Sequence, residues 1–151
     1  EFLQRGLVRN AAGKAFQAWK ALLAALPRLE LDKLLQTAKT EEEKKWLMER
    51  AVPRVPTTKM VRLSQMLEDV GHYGISAWTD RALNIHDYQH HGPDPDMALS
   101  KFRNKEEAAV AVVKLVEEVA RRAEELRQRV KWGGELEEAL KALKEELERR
   151  S

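Results

Sequence analysis

Residues 105–131 read KEEAAVAVVKLVEEVARRAEELRQRVK, and this stretch decides the fold class. Ala109, Val112, Val116, Val119, Ala123, Leu126 and Val130 recur at steps of 3, 4, 3, 4, 3 and 4. Each residue turns an α-helix by about 100°, so this spacing lays the seven on one stripe. Asn104 with Glu107 three residues on reads as a capping box at the start. Gly133-Gly134 reads as the stop.

Working outward, Val8, Ala12, Ala15, Trp19, Leu22 and Leu26 repeat the pattern at steps of 4, 3, 4, 3 and 4. Ala11, Ala18 and Ala25 widen that stripe with small residues and let a neighbouring helix approach closely. Gly6 separates this helix from residues 1–5, and Pro27 is expected to end it. Leu29, Leu31, Leu34 and Leu35 suggest a short helix. Thr40 followed by three glutamates reads as an N-cap with an acidic first turn, opening a helix that runs to Ala51. Pro53 and Pro56 punctuate a loop. Thr57 or Thr58 is placed to cap a helix that turns Met60, Leu63, Met66, Leu67 and Val70 inward. Gly71 and Gly74 bracket a turn, helix resumes from Ile75 to His90, and His91-Gly92-Pro93-Asp94-Pro95-Asp96 breaks it. A last helix from Glu135 to Arg150 carries Leu136, Leu140, Leu143 and Leu147, with Glu137–Lys141 and Glu146–Arg150 as i,i+4 pairs. No segment has strand periodicity. The expected architecture is all-α: an antiparallel, up-and-down bundle over residues 1–131, with a C-terminal helix over 132–151 that packs on the bundle or on a partner.

Composition agrees with that reading and removes several function classes. The 151 residues are 43 % hydrophobic and 34 % charged, with a net charge of +2. That is the balance of a globular chain, and it neither demands nor forbids a nucleic-acid partner. There is no cysteine, which excludes disulfides, thiolate metal sites and a cysteine nucleophile. No segment approaches the roughly 18 apolar residues of a membrane span, and the opening residues lack the layout of a secretory signal. A cytoplasmic protein with no membrane partner is expected. Abundant Glu, Lys and Arg with few Asn is a thermophile-like composition.

Two stretches carry a family likeness. Phe2-Leu3-Gln4-Arg5-Gly6, followed by Ala11, Lys14, Ala15, Ala18, Lys20 and Ala21, resembles the opening helices of HEPN domains, the archaeal PaREP group most of all. Arg81-Ala82-Leu83-Asn84-Ile85-His86-Asp87-Tyr88 is similar to the R-x4-H-x-Y motif of HEPN ribonuclease toxins. The likeness covers roughly residues 1–130. It implies a two-fold homodimer with both motifs lining one groove, and RNA cleavage without a metal or other cofactor. In that scheme the catalytic residues are Arg81, His86 and Tyr88, and Tyr88 matches the tyrosine that a nucleotidyltransferase partner adenylylates in toxin–antitoxin pairs. The sequence departs from the pattern at Ala82, where active enzymes usually carry Asn, Asp or His.

The residue types suit that chemistry. A histidine near neutral pKa can move the 2′-hydroxyl proton, and an arginine can donate paired hydrogen bonds to the phosphate. On a straight helix, however, Arg81 and His86 stand about 140° apart, so the arginine must bend or a second subunit must complete the cleft. Each residue also has a plain structural reading. His86 is a core-facing histidine, Arg81 half of an ion pair, and Tyr88 a core aromatic with its hydroxyl at the rim. These readings make the protein a non-catalytic interaction module.

Lys101, Arg103 and Lys105 form a basic patch suited to an RNA backbone. Arg121, Arg122, Arg127, Arg129 and Lys131 alternate with glutamates and read as a solvated face. His86 and His90 have the i,i+4 spacing of metal ligands, but without an H-E-x-x-H frame no metal site is assigned. Trp19, Trp46 and Trp78 read as core, and Trp132 as an exposed contact.

Overall fold

The computed structural model describes residues 7–48, 55–127, 138 and 141–146. Among these residues every regular element is helical and no strand occurs. The order is α1 (Leu7–Thr37), α2 (Glu41–Trp46), a 3-10 turn (Thr57–Lys59), α3 (Met60–Asp69), α4 (Ile75–His91) and α5 (Lys105–Arg127). Residues 141–146 are also helical. Gly6, the end of the second helix at Ala51, Pro53, Val130, Trp132, Gly133-Gly134, Leu136, Leu140, Leu147, Arg129, Lys131 and the pairs made with Glu137 and Arg150 lie outside the described residues.

Two local expectations are corrected. The break expected at Pro27 comes instead at Glu30 (φ −108°, ψ 17°), a kink that divides α1 into two helical stretches, the second of them the short helix expected around Leu31, Leu34 and Leu35. Proline lacks the N–H that would bond the Leu23 carbonyl, but Leu23, Leu26, Pro27, Glu30 and Leu34 are all buried. Packing on that side carries the chain past the missing bond. Neither Thr57 nor Thr58 caps α3. The chain enters through the 3-10 turn, and Lys59 at the cap position makes no side-chain capping bond.

The other caps form as expected, with a common refinement. Thr40 Oγ1 accepts from the Glu43 N–H at 3.1 Å, and Asn104 Oδ1 from the Glu107 N–H at 2.9 Å. In each, the glutamate reaches back one residue beyond the cap, to the N–H of Lys39 or Arg103, at 2.9 Å. Each cap thus satisfies one first-turn donor of the helix and one backbone N–H of the residue just before the cap.

The chain divides into two compact units, residues 1–19 with 81–151, and residues 20–80. The boundary falls inside α1 and inside α4. In the first unit, Ala12, Ala15, Phe16 and Trp19 of α1 are buried, as are Ala82, Ile85 and Tyr88 of α4 and Val112, Leu115, Val116, Val119 and Leu126 of α5. The valine, leucine, isoleucine and phenylalanine side chains among them contribute about 1.5–3 kcal/mol each when fully buried. The α5 stripe is therefore the core seam that the 3,4 spacing predicts, but the face around it is not wholly solvated. Glu118 and Arg122 are each 8 % exposed. Arg122 Nε donates to Glu118 Oε2 at 2.5 Å, and its guanidinium lies 5.9 Å from the Trp19 ring centre. A paired charge with an aromatic face above it can be buried where a lone one cannot.

In the second unit the buried residues include Leu22, Leu23, Leu26, Leu34, Leu47, Met60, Leu63, Met66, Leu67 and Ile75. Ser64 and Thr79 share a buried hydroxyl–hydroxyl bond of 2.6 Å. Arg62 grips the Glu43 carboxylate with two bonds, of 2.6 and 3.0 Å. Trp46 and Trp78 are half-buried rather than core.

Candidate functional site

The motif helix α4 meets α1 along a short ladder inside the first unit. Arg9 Nε donates to the Gln89 carbonyl at 3.0 Å and Nη2 to the His90 carbonyl at 2.8 Å. One turn further along α1, Gly13 faces the Gln89 side chain; a Cβ at Gly13 would lie 2.6 Å from Gln89 Nε2. A turn beyond, the Phe16 ring stacks on the His86 imidazole, with centroids 4.1 Å apart and planes at 18°. Arg9, Gly13 and Phe16 stand at i, i+4 and i+7, one helical stripe. Their contacts fall along α4 as they rise along α1.

The ladder fixes His86 from several sides. Phe16 covers a face of the ring, and His90 meets it edge-on at 4.7 Å and 89°. His86 is half-buried with its Nδ1 inside, while His90 is exposed. The end of α4 is pinned as well. Gly92 adopts the left-handed conformation (φ 69°) and its N–H bonds the Tyr88 carbonyl at 2.7 Å, a glycine cap. Arg9 supplies the acceptor-rich helix end with a cation, which the helix dipole favours.

The other motif residues are placed differently. Arg81 is exposed, and among the described residues none pairs with it. Ala82 is completely buried and Tyr88 is 2 % exposed. Phe102 meets the Tyr88 ring edge-on at 6.0 Å. Burial pushes the Tyr88 phenol above its ordinary range, Arg9's charge pulls it back, and Glu106 adds to the rise. Arg81 and Tyr88 have nearly the same angle on the helix wheel but opposite exposure, because the segment after α4 folds over its last turns. The Tyr88 ring, packed under Phe102, is the part of the side chain that is covered.

That covering segment is tied down by Asp94. Its carboxylate accepts from the N–H groups of Leu99 (2.6 Å) and Ser100 (3.1 Å), and its own N–H donates to the Phe102 carbonyl at 2.8 Å. Those backbone donors hold the Asp94 carboxyl below the usual range. Met97 takes up a left-handed φ of 57° inside the same turn. Lys101, Arg103 and Lys105 are all exposed beside it. Among the described residues no three imidazoles or carboxylates converge on a metal position.

Sequence reasoning places Gln89 on the same helix face as His86, but it missed Phe16 as the neighbour of His86 and Arg9 as the residue holding the end of that helix. The signal was present in the i, i+4, i+7 relation of Arg9, Gly13 and Phe16, but nothing local says which helix that stripe meets. It also missed His72, whose Nε2 lies 2.9 Å from the buried Glu30 carboxylate in the second unit. A groove of about 670 Å³ in that unit, lined by residues including Leu35, Glu41, Lys44 and Met48, holds none of the motif residues. Lys14 reaches Glu146 of the C-terminal segment, and Leu143 is buried there.

The model of the archaeal PaREP1/PaREP8 family matches residues 1–113. Comparison with curated proteins and with solved structures gives no match.

Proposed function

The chain belongs to the archaeal PaREP1/PaREP8 family, and from that membership and the His86 cluster we propose an RNA-binding protein of HEPN type, with an antiparallel bundle and metal-independent endoribonuclease chemistry centred on His86. The observation that carries this reading is the fixed, half-buried imidazole: Phe16 at 4.1 Å on one face and His90 at its edge. A general base must be held in one orientation to be useful. With Nδ1 buried, Nε2 is the nitrogen that would exchange a proton with a bound RNA. His86 takes the 2′-hydroxyl proton, the O2′–P bond forms and the P–O5′ bond breaks. The leaving oxygen takes a proton from His90 or from water, giving a 2′,3′-cyclic phosphate and a 5′-hydroxyl end. Lys101, Arg103 and Lys105 bind the backbone of the same strand. A homodimer and a nucleotidyltransferase that acts on Tyr88 belong to this reading as further proposals.

The test pairs RNA cleavage in excess chelator with thermal melting, for the unmutated protein and His86→Ala. The expected result is a loss of about 10²- to 10⁴-fold in rate with the fold kept. Absence of cleavage of any RNA by the unmutated protein ends the enzyme reading. A second reading, a non-catalytic interaction module, is favoured by Ala82, whose complete burial makes the position part of the core where active enzymes carry a polar residue. It predicts a destabilised His86→Ala and no activity to lose.

A further inference from the structure

We propose that Arg9, rather than Arg81, is the phosphate-binding arginine of the His86 site, forming with His90 an anchor for a phosphodiester oxygen at the exposed end of α4. The inference deepens the reading above and rests on it for the identity of the full ligand.

The geometry favours Arg9 over the motif arginine. A guanidinium carries five N–H donors in a rigid fork. Arg9 uses one on the Gln89 carbonyl and one on the His90 carbonyl. Its three remaining N–H groups have no acceptor among the described residues, and the side chain is exposed. The two bonds already made fix the fork's plane, so little freedom is lost when an anion arrives. Arg81 is held by no described partner and lies five residues before His86, on another side of the helix.

Charge at the site is consistent with an anion. The end of α4 contributes about −0.5 of a charge, and Arg9 contributes +1 directly over it. His90, whose backbone carbonyl Arg9 holds, is exposed, and its ring is in edge contact with His86. Lys14, the next cation on α1, is engaged by Glu146, and the Glu106 carboxylate, close enough to act on Tyr88, is the nearby charge that opposes an anion. A phosphate seated on Arg9 and His90 would lie next to the imidazole that is to move the proton, which is the requirement of a cleavage site.

The test is titration of the full chain with inorganic phosphate, followed by NMR of the arginine Nε–H and histidine ring signals, in the unmutated protein, Arg9→Gln, His90→Gln and Arg81→Gln. His90→Gln removes the imidazole but keeps the backbone carbonyl that Arg9 holds. The expected result is a shift centred on Arg9 and His90, weakened by about 10- to 100-fold in Arg9→Gln, the worth of charge-assisted hydrogen bonds. His90→Gln should weaken it less, and Arg81→Gln should leave it unchanged. The proposal is overturned if the unmutated protein binds no phosphate, if Arg9→Gln binds as before, or if Arg81→Gln is the variant that fails. Should Arg9→Gln not fold, the unmutated titration decides: signals moving at Arg81 or at Lys101, Arg103 and Lys105 instead of Arg9 overturn the site. Phosphate held at Arg9 by a protein that cleaves no RNA leaves this site standing and ends the ribonuclease reading. RNA cleaved equally well by Arg9→Gln does the reverse.

Discussion

Phe16 on α1 and His86 on α4, seventy residues apart in sequence, lie face to face at 4.1 Å. The contact joins the core to the candidate base, so Phe16 has two separable effects. Phe16 is 1 % exposed, and Phe16→Ala should cost about 3–5 kcal/mol of stability, read by urea denaturation. Phe16→Leu keeps much of the bulk and loses the stack, worth about 0.5–1.5 kcal/mol. If His86 is the base, the leucine variant should lose more activity than its stability loss explains. Equal activity in Phe16→Leu and the unmutated protein would mean that the stack is packing alone.

Restoring the polar residue after Arg81 should fail. Ala82 is fully buried, so Ala82→Asn should lower stability by about 1–3 kcal/mol, and Ala82→Asp by more. Thermal melting checks the order Ala, then Asn, then Asp. An aspartate variant as stable as the parent would mean that the position opens readily.

Acid should weaken the second unit through Glu43. Hydrogen bonds from Arg62, then from the Lys39 backbone, lower its carboxyl from 4.5 to about 2. A group whose pKa is depressed on folding stabilises the protein above its unfolded value. That contribution is complete above about pH 5 and is lost as pH falls towards about pH 2. Melting temperature followed from pH 6 to pH 2 should fall less steeply in Glu43→Gln than in the parent.

Within α5, removing one half of the buried Glu118–Arg122 pair should be severe. Their side chains are 9 % and 10 % exposed. Burial raises the Glu118 carboxyl, but the hydrogen bonds from Arg121 and Arg122 outweigh it and hold the group low. Arg122→Ala should cost about 3–5 kcal/mol, whereas Arg121→Ala, half-exposed, should cost about 1 kcal/mol or less. Comparable losses in chemical denaturation would argue against this division of roles.

The kink gives a test of the second unit. His72→Ala removes the imidazole from the buried Glu30 carboxylate and should cost about 1–3 kcal/mol. His72→Gln, which can still donate, should recover part of it. Circular dichroism melts of the two variants compare them directly.

The helices of this protein were legible because the apolar spacing in α1 and α5 spans many turns, and Thr40 and Asn104 cap as local chemistry requires. What failed locally failed for tertiary reasons. Pro27 was outvoted by buried neighbours on both sides, and Arg122 was drawn inward by Trp19, a residue more than a hundred positions away. His86 could be singled out from its motif, but its setting could not. Phe16 reaches it, and Arg9 reaches the end of its helix, across a helix pairing that periodicity does not encode. The same holds for Glu30 and His72, whose bond spans 42 residues.

The knot around Asp94 sets a clock. Tyr88 sits beneath Phe102, and Phe102 is held by a segment whose turn depends on one carboxylate and a left-handed methionine. An enzyme that transferred a group to the Tyr88 oxygen would have to grip a ring sunk under this segment, so local opening of the segment would help it. Its rate would then rise with the fraction of time the segment is open. Loosening the knot with Asp94→Ala should speed both modification and amide hydrogen exchange over residues 94–102, while tightening it with Met97→Gly should slow both together.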